Sequence, residues 1–217
     1  MPSTWHTTKI ADKMAFRSFA PSSTAPRQLY HLLTSAVVPR PIAWVSTRSA
    51  AGVTNLAPFS FFNVMSIDPP ILAITQVYPK PGSDKDTLLN LRATNECVVN
   101  FVPAHMAELM NATSKDYPHG VSEIEKLEIP TIQSTQVQVP GVAGSPIRME
   151  CTLRDVLEIG NGKTMLLNVI EFQVNQALFS EGDAIDGSRA PTLGRMGNND
   201  YTTTSQLLEM LRPPFSA

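Results

Sequence analysis

The sequence predicts a mainly β, α+β domain in which an antiparallel sheet closes into a small barrel and helices sit on its periphery. Three observations carry this expectation. Two long runs rich in β-branched and apolar residues, within SPIRMECTLRDVLEIGNGKTMLLNVIEFQVNQAL, flank Asn161-Gly162, the preferred pair of a type I′ hairpin turn. Two compact apolar runs, PPILAITQV and ECVVNFVP, have the length of buried strands. The helical segments fall between strands without the regular alternation of a βαβ fold, which favours antiparallel pairing.

Each element follows from local chemistry. In APRQLYHLLTSA, Leu29, Leu32 and Leu33 recur at helical spacing behind a Pro suited to a first turn, so a short helix precedes the sheet. IAWVSTR then reads as a strand, Ser49 to Gly52 supply turn chemistry, and NLAPFSFFNVMS reads as the returning strand of a hairpin. Pro58 within that run marks an edge or strained position, because Pro lacks the N–H a ladder needs. KDTLLNLRAT and AHMAELMNA are helix candidates on either side of the ECVVNFVP strand. The stretch TSQLLEMLRPP, with Leu207, Leu208 and Leu211 on one face and Pro213 as a stop, predicts a terminal helix that docks by that face. One domain is expected: an N-terminal extension with its short helix over 1–35, the barrel over 36–203, and a C-terminal helix and tail over 204–217.

Composition narrows the function. The 17 Lys and Arg against 19 Asp and Glu give a net charge of -2, which does not match the basic footprint of a nucleic-acid binder. Cys97 and Cys151 form no CxxC and lie in apolar runs, so structural thiols in a reducing compartment are expected. The N-terminal MPSTWHTTKIADKMAF lacks a basic head and apolar run, and no segment approaches the ~20 apolar residues that span a bilayer, so the expected location is cytoplasmic.

Familiar catalytic constellations are missing. There is no HExxH, GxSxG, Walker loop or GxGxxG after a strand, and His6, His31, His105 and His119 are dispersed without metal-ligand spacing. No metal is expected. What remains is a set of anion-binding and aromatic features. Asp84 or Asp86 can cap the helix in DKDTLLNL, placing Lys85 and Thr87 where free first-turn amides would receive a phosphate; an ordinary capped surface helix has the same sequence. Ser46 and Thr47 are equally consistent with outward-facing strand positions, and Phe59, Phe61 and Phe62 with a core.

Taken together, RPIAWVSTRSAAGVTNLAPFSFFN, DPP, KDTLLN, ECVVNFV and GRMGNNDY, in that order from about Val38 to Tyr201, resemble the flavin reductase-like FMN-binding split-barrel family of the flavoredoxin type. The resemblance implies a six-stranded antiparallel split barrel, a homodimer, and FMN near the subunit interface. It implies that Trp44, Val45, Ser46 and Thr47 run along one side of the flavin, and that Asn55, Leu56, Ala57 and Pro58 approach the ring partly through backbone groups. Ser60, Phe61 and Phe62 would continue that wall, Lys85, Asp86 and Thr87 would receive the ribityl phosphate, and Arg195 would stand at the mouth.

On this reading Pro58 breaks the ladder locally and turns backbone groups toward the flavin. No acid or base is required, because hydride passes between two stacked rings and the cofactors carry the chemistry. NADH or NADPH is the implied donor, held in an open groove since no Rossmann fingerprint is present. The implied activity is an NAD(P)H-dependent flavin reductase serving an acceptor protein or monooxygenase. A non-enzymatic FMN electron carrier, or a cofactor-free interaction protein of the same fold, are the alternatives.

Overall fold

The computed structural model describes residues 15–77, 84–180 and 182–213. The start of the expected N-terminal extension, with His6, and the last four residues of the tail lie outside them. Helix α1 (Pro26–Ala36) begins with Pro in its first turn and leads into β1 (Arg40–Pro41), β2 (Ala43–Arg48), β3 (Thr54–Phe59), β4 (Phe62–Ile67) and β5 (Pro70–Val77). Then come α2 (Asp86–Thr94), β6 (Glu96–Asn100), α3 (Ala107–Ala112), α4 (Glu123–Lys126), β7 (Thr131–Ile132) and β8 (Gly141–Val142). The long pair β9 (Ile147–Ile159) and β10 (Gly162–Val174) follows, and β11 (Leu193–Arg195) and β12 (Tyr201–Thr203) end the ordered elements.

The main sheet has seven strands in the order β3-β2-β6-β9-β10-β5-β4, every neighbouring pair antiparallel. The expected six become seven because the NLAPFSFFNVMS run is two strands, interrupted at Ser60-Phe61. Those two strands are the opposite edges of the sheet, yet only residues 60 and 61 separate them, a span of about 10 Å at most. The sheet must therefore curl until its edges meet at that corner. Elsewhere it stays open, which is the split barrel.

Inside the curl, Ala43, Val45, Phe59, Leu72, Ile74, Cys97, Val99, Cys151, Met165 and Leu167 pack with Leu88 and Leu91 of α2. Each buried Val, Leu, Ile, Phe or Met among them contributes about 1.5–3 kcal/mol. The outer face of the same strands is also covered: Trp44 and Leu56 pack with Met110 of α3, Ile124 of α4 and Val142 of β8. This double cover explains why IAWVSTR lacks an alternating pattern. Every residue of β2 except its last is buried.

Three local expectations need correction. The β9–β10 turn has Gly160-Asn161 as its centre, since Ile159 pairs with Gly162, and only Gly160 takes a left-handed φ, of 60°. Glycine therefore serves the first central position, and Asn161-Gly162 does not form the turn. Residues 204–213 form no helix, and Leu207, Leu208, Met210 and Leu211 are exposed. A short helix gains stability mainly from packing its apolar face, and among the described residues these leucines pack on nothing. Finally, β3 is an edge strand whose pairing with β2 continues unbroken through Trp44↔Pro58. Pro58 does not break the ladder.

Candidate functional site

The outward edge of β3 explains Pro58. The Leu56 N–H donates to Glu123 Oε2 at 2.9 Å, so this residue parity faces away from β2. Pro58, two residues on, faces the same way and has no donor to satisfy. Hence Leu56 N–H is already committed to a buried carboxylate and is not held ready for a ring. Burial raises the Glu123 carboxyl above its ordinary range, against the hydrogen bond from Leu56, with Asp86 adding a smaller upward push.

The side chains expected to form a flavin wall along β2 lie inside the protein. Trp44, Val45, Ser46 and Thr47 are all fully buried. Trp44 Nε1 donates to Thr113 Oγ1 at 2.9 Å, and the Ser46 hydroxyl donates to the Pro140 carbonyl at 2.7 Å. Thr47 Oγ1 accepts from Asn90 Nδ2 at 3.0 Å and Asn55 Nδ2 at 3.4 Å, while Asn55 also reaches Thr87 Oγ1 at 3.2 Å. Four polar side chains thus close on one another beneath α2. They lock the helix onto the β2–β3 hairpin, with the Thr87 hydroxyl buried and accepting from Asn55.

At the start of α2, the N-cap position belongs to Lys85, and no side chain caps it. Asp84 is held by Lys163 Nζ at 2.7 Å and Arg92 Nη1 at 2.6 Å, and the hydrogen bond from Lys163 is the main reason its carboxyl lies below the ordinary value. Asp86 is turned to His119, with Nδ1 2.5 Å from Oδ1, and accepts from Gly120 N–H at 3.4 Å. Both aspartates expected as caps are therefore engaged elsewhere, Asp86 with the exposed His119. Lys85 is exposed, with its ammonium 5.6 Å from the centroid of the Phe59 ring.

Beyond Phe59, the half-buried residues Pro58, Ser60, Phe61 and Phe62 open onto two concave surfaces. One, of about 350 Å³, lies against Phe61, Phe62, Leu33 and Pro39. The other, of about 500 Å³, is lined by Pro58 and Ser60 together with Tyr30, His31, Arg40, Arg195, Asn199 and Tyr201. Arg40 stands between the two. It is nearly buried, donates to the carbonyls of Thr34, Val37 (3.2 Å) and Met196 (3.1 Å), and lies 5.9 Å from the centre of the Phe61 ring. Arg40 is a site residue that sequence reading missed. Its signal was a lone basic residue immediately before a strand, which carries no pattern. Arg195 sits opposite it in the β1–β11 pair, donates to the Asn198 carbonyl at 2.5 Å and covers the Tyr201 ring at 4.4 Å. Gly194 and Gly197 allow this approach, because a Cβ would come within 2.7 Å of Pro39 and 2.5 Å of Ser35 Oγ, respectively.

The flavin reductase like domain model matches residues 34–190, which span the barrel, α2 and the Arg40 corner. The chain belongs to that family. A relative from Halalkalibacterium halodurans is 35% identical over 202 residues, 90% of this chain and 96% of its own length. Nitrilotriacetate monooxygenase component B from Bacillus cereus superposes with a TM-score of 0.86 at 30% identity, covering 91% of this chain and 100% of that one. The 2-nitrobenzoate 2-nitroreductase NbaA of Pseudomonas fluorescens gives 0.84 at 29%, covering 93% and 98%. Among the described residues of this family member, no helix is long and apolar enough to cross a membrane.

Proposed function

We propose that this protein binds FMN and acts as an NAD(P)H-dependent flavin reductase, supplying reducing equivalents to a separate acceptor such as a monooxygenase. The carrying observation is the convergence of the α2 start on the Phe59–Phe62 corner. The exposed Lys85 ammonium and the amides of the helical first turn stand beside the buried Phe59 ring, and the chain runs on from Phe59 into the half-buried Ser60, Phe61 and Phe62. One helix start offers room for a terminal monophosphate more naturally than for a bridging pyrophosphate, which favours FMN over FAD. Among the residues expected around the phosphate, Lys85 and the backbone would hold it, while Asp86 and Thr87 act from behind: Asp86 fixes His119, and Thr87 anchors the helix.

When bound, the flavin supplies the redox chemistry by accepting a hydride. The chain then has to position and shield the ring, and Phe61, Phe62 and Ser60 are placed to do so. Relatives named as a monooxygenase component and a nitroreductase support an oxidoreductase of this kind.

The reading includes a homodimer. Val64, Met65 and Ile67 of edge strand β4 are 60%, 60% and 88% exposed, beside an apolar cleft of about 460 Å³ between β4, β5 and β9. Sedimentation at micromolar concentration should give twice the chain mass, and a monomer would remove this part of the reading.

The activity is tested by mixing protein, FMN and NADH or NADPH without oxygen. Bleaching of the flavin band faster than in a protein-free control is expected with one of the nucleotides. A stable yellow complex that neither nucleotide bleaches would instead identify an electron carrier reduced by a protein partner. A colourless protein that leaves free FMN unbound would identify an interaction module.

A further inference from the structure

The cleft beside the aromatic corner holds more positive charge than the protein balances. Arg40 and Arg195 are paired directly across β1 and β11, and neither forms an ion pair among the described residues. The residues lining the cleft include two arginines, a histidine and two tyrosines but no Asp or Glu. Burial lowers the Arg40 guanidinium from its ordinary value; Tyr30 opposes this, and the like charge of Arg195 adds a smaller downward push. The fold spends much to keep Arg40 there, since its donors are anchored on carbonyls from the end of α1 and from the β11–β12 loop. Two guanidiniums held together in a partly buried space without a carboxylate are stabilised by a bound anion. Arg195 lines the cleft and donates to the Asn198 carbonyl from a guanidinium fork of five donors, and the tyrosines and Pro58 give a planar ligand something to lie against.

We propose that this cleft is a binding site for an oxyanion, carboxylate or phosphate, carried by the second reactant that meets the flavin, and that Arg195 is its principal contact. The placement beside the flavin rests on the function proposed above, whereas anion binding by the cleft does not. A cleft of about 500 Å³ accommodates either a nucleotide's phosphates or a small aromatic acid.

Calorimetric titration of the full chain with inorganic pyrophosphate and with benzoate tests the site directly. Wild type should bind at least one of them. Arg195→Gln should weaken that binding by about 10-fold to 100-fold, the loss of a charge-assisted pair. Arg154→Gln, an exposed arginine on β9 outside the cleft, should leave it unchanged. Arg195→Gln is the variant of choice because the anchoring bonds of Arg40 also hold α1. Binding of pyrophosphate alone would assign the cleft to nucleotide phosphates, and binding of benzoate alone to an organic acid. The proposal is overturned if wild type binds neither, or if Arg195→Gln binds as tightly as wild type. It is also overturned if Arg195→Gln loses FMN affinity to the same extent, since the cleft would then belong to the flavin. FMN binding retained by Arg195→Gln keeps this test separate from that of the flavin site.

Discussion

Two polar regions lie on opposite faces of the β2–β3 hairpin, and they differ in balance. Beneath α2, Thr47, Asn55, Thr87 and Asn90 are each at most 7% exposed and bond to one another. Across the hairpin, Arg40 and Arg195 face a cleft with no acidic lining residue. The first region has the residue types expected of a cofactor site, buried and bonded to one another. The second has an excess of donors and charge. Residue type therefore says little about which polar cluster binds a ligand, and saturation says more.

The sharpest way to test saturation as a structural signature is the other closed cluster, around Glu150. This fully buried carboxylate accepts from the N–H groups of Thr135 (2.8 Å), Gln136 (2.6 Å) and Val137 (3.2 Å), and from Gln173 Nε2 (2.9 Å). Glu150→Ala would strand those donors and should cost about 3–5 kcal/mol, read as a lower urea midpoint. A cost near zero would break the equation of saturation with structure.

Asn55→Ala comes next. It removes two donors beneath α2 and should destabilise by about 1–3 kcal/mol, while the surviving folded protein binds FMN nearly as well as wild type. A large FMN defect at preserved stability would move Asn55 from scaffold to site.

Smaller effects come from two carboxyls of opposite sign. Asp84, held below its ordinary value chiefly by Lys163, contributes stability that is present above the ordinary carboxylate pKa and lost as pH falls through its lower folded value. Glu123, raised by burial, does the reverse: its contribution is full below the ordinary value and lost as pH rises through the higher folded one. Urea midpoints followed across about pH 3 to 6 should therefore lose acid sensitivity in Asp84→Asn. In Glu123→Gln, stability should fall less on the upper side of that range than in wild type.

Much of the fold was legible in the sequence because its signals are local. Pro26 before a leucine-spaced run marked α1, and the paired β-rich runs marked β9 and β10. The split barrel and family came from the motif order, and the match over residues 34–190 agrees with it. What failed depended on partners distant in sequence. Leu207, Leu208 and Leu211 have helical spacing, but spacing does not supply a docking surface. Ser46 and Thr47 sit on a strand covered on both faces, so their hydroxyls are buried and bonded to Pro140, Asn55 and Asn90. Arg40 was invisible in part for the same reason: residues 34 and 37 are local backbone acceptors that any basic residue could use, while the Met196 carbonyl and the Arg195 opposite come from far along the chain.

The central claim is that the α2 start receives a flavin phosphate through Lys85, while the saturated network below only positions the helix. Titrating FMN and riboflavin against wild type and Lys85→Ala tests it most directly. FMN binding should weaken by about 10-fold to 100-fold, the worth of a charge-assisted hydrogen bond at 1.4 kcal/mol per decade, and riboflavin, which lacks the phosphate, should bind almost unchanged. Equal losses for the two ligands, or no loss for FMN, would contradict the assignment of the phosphate to residues 85–87.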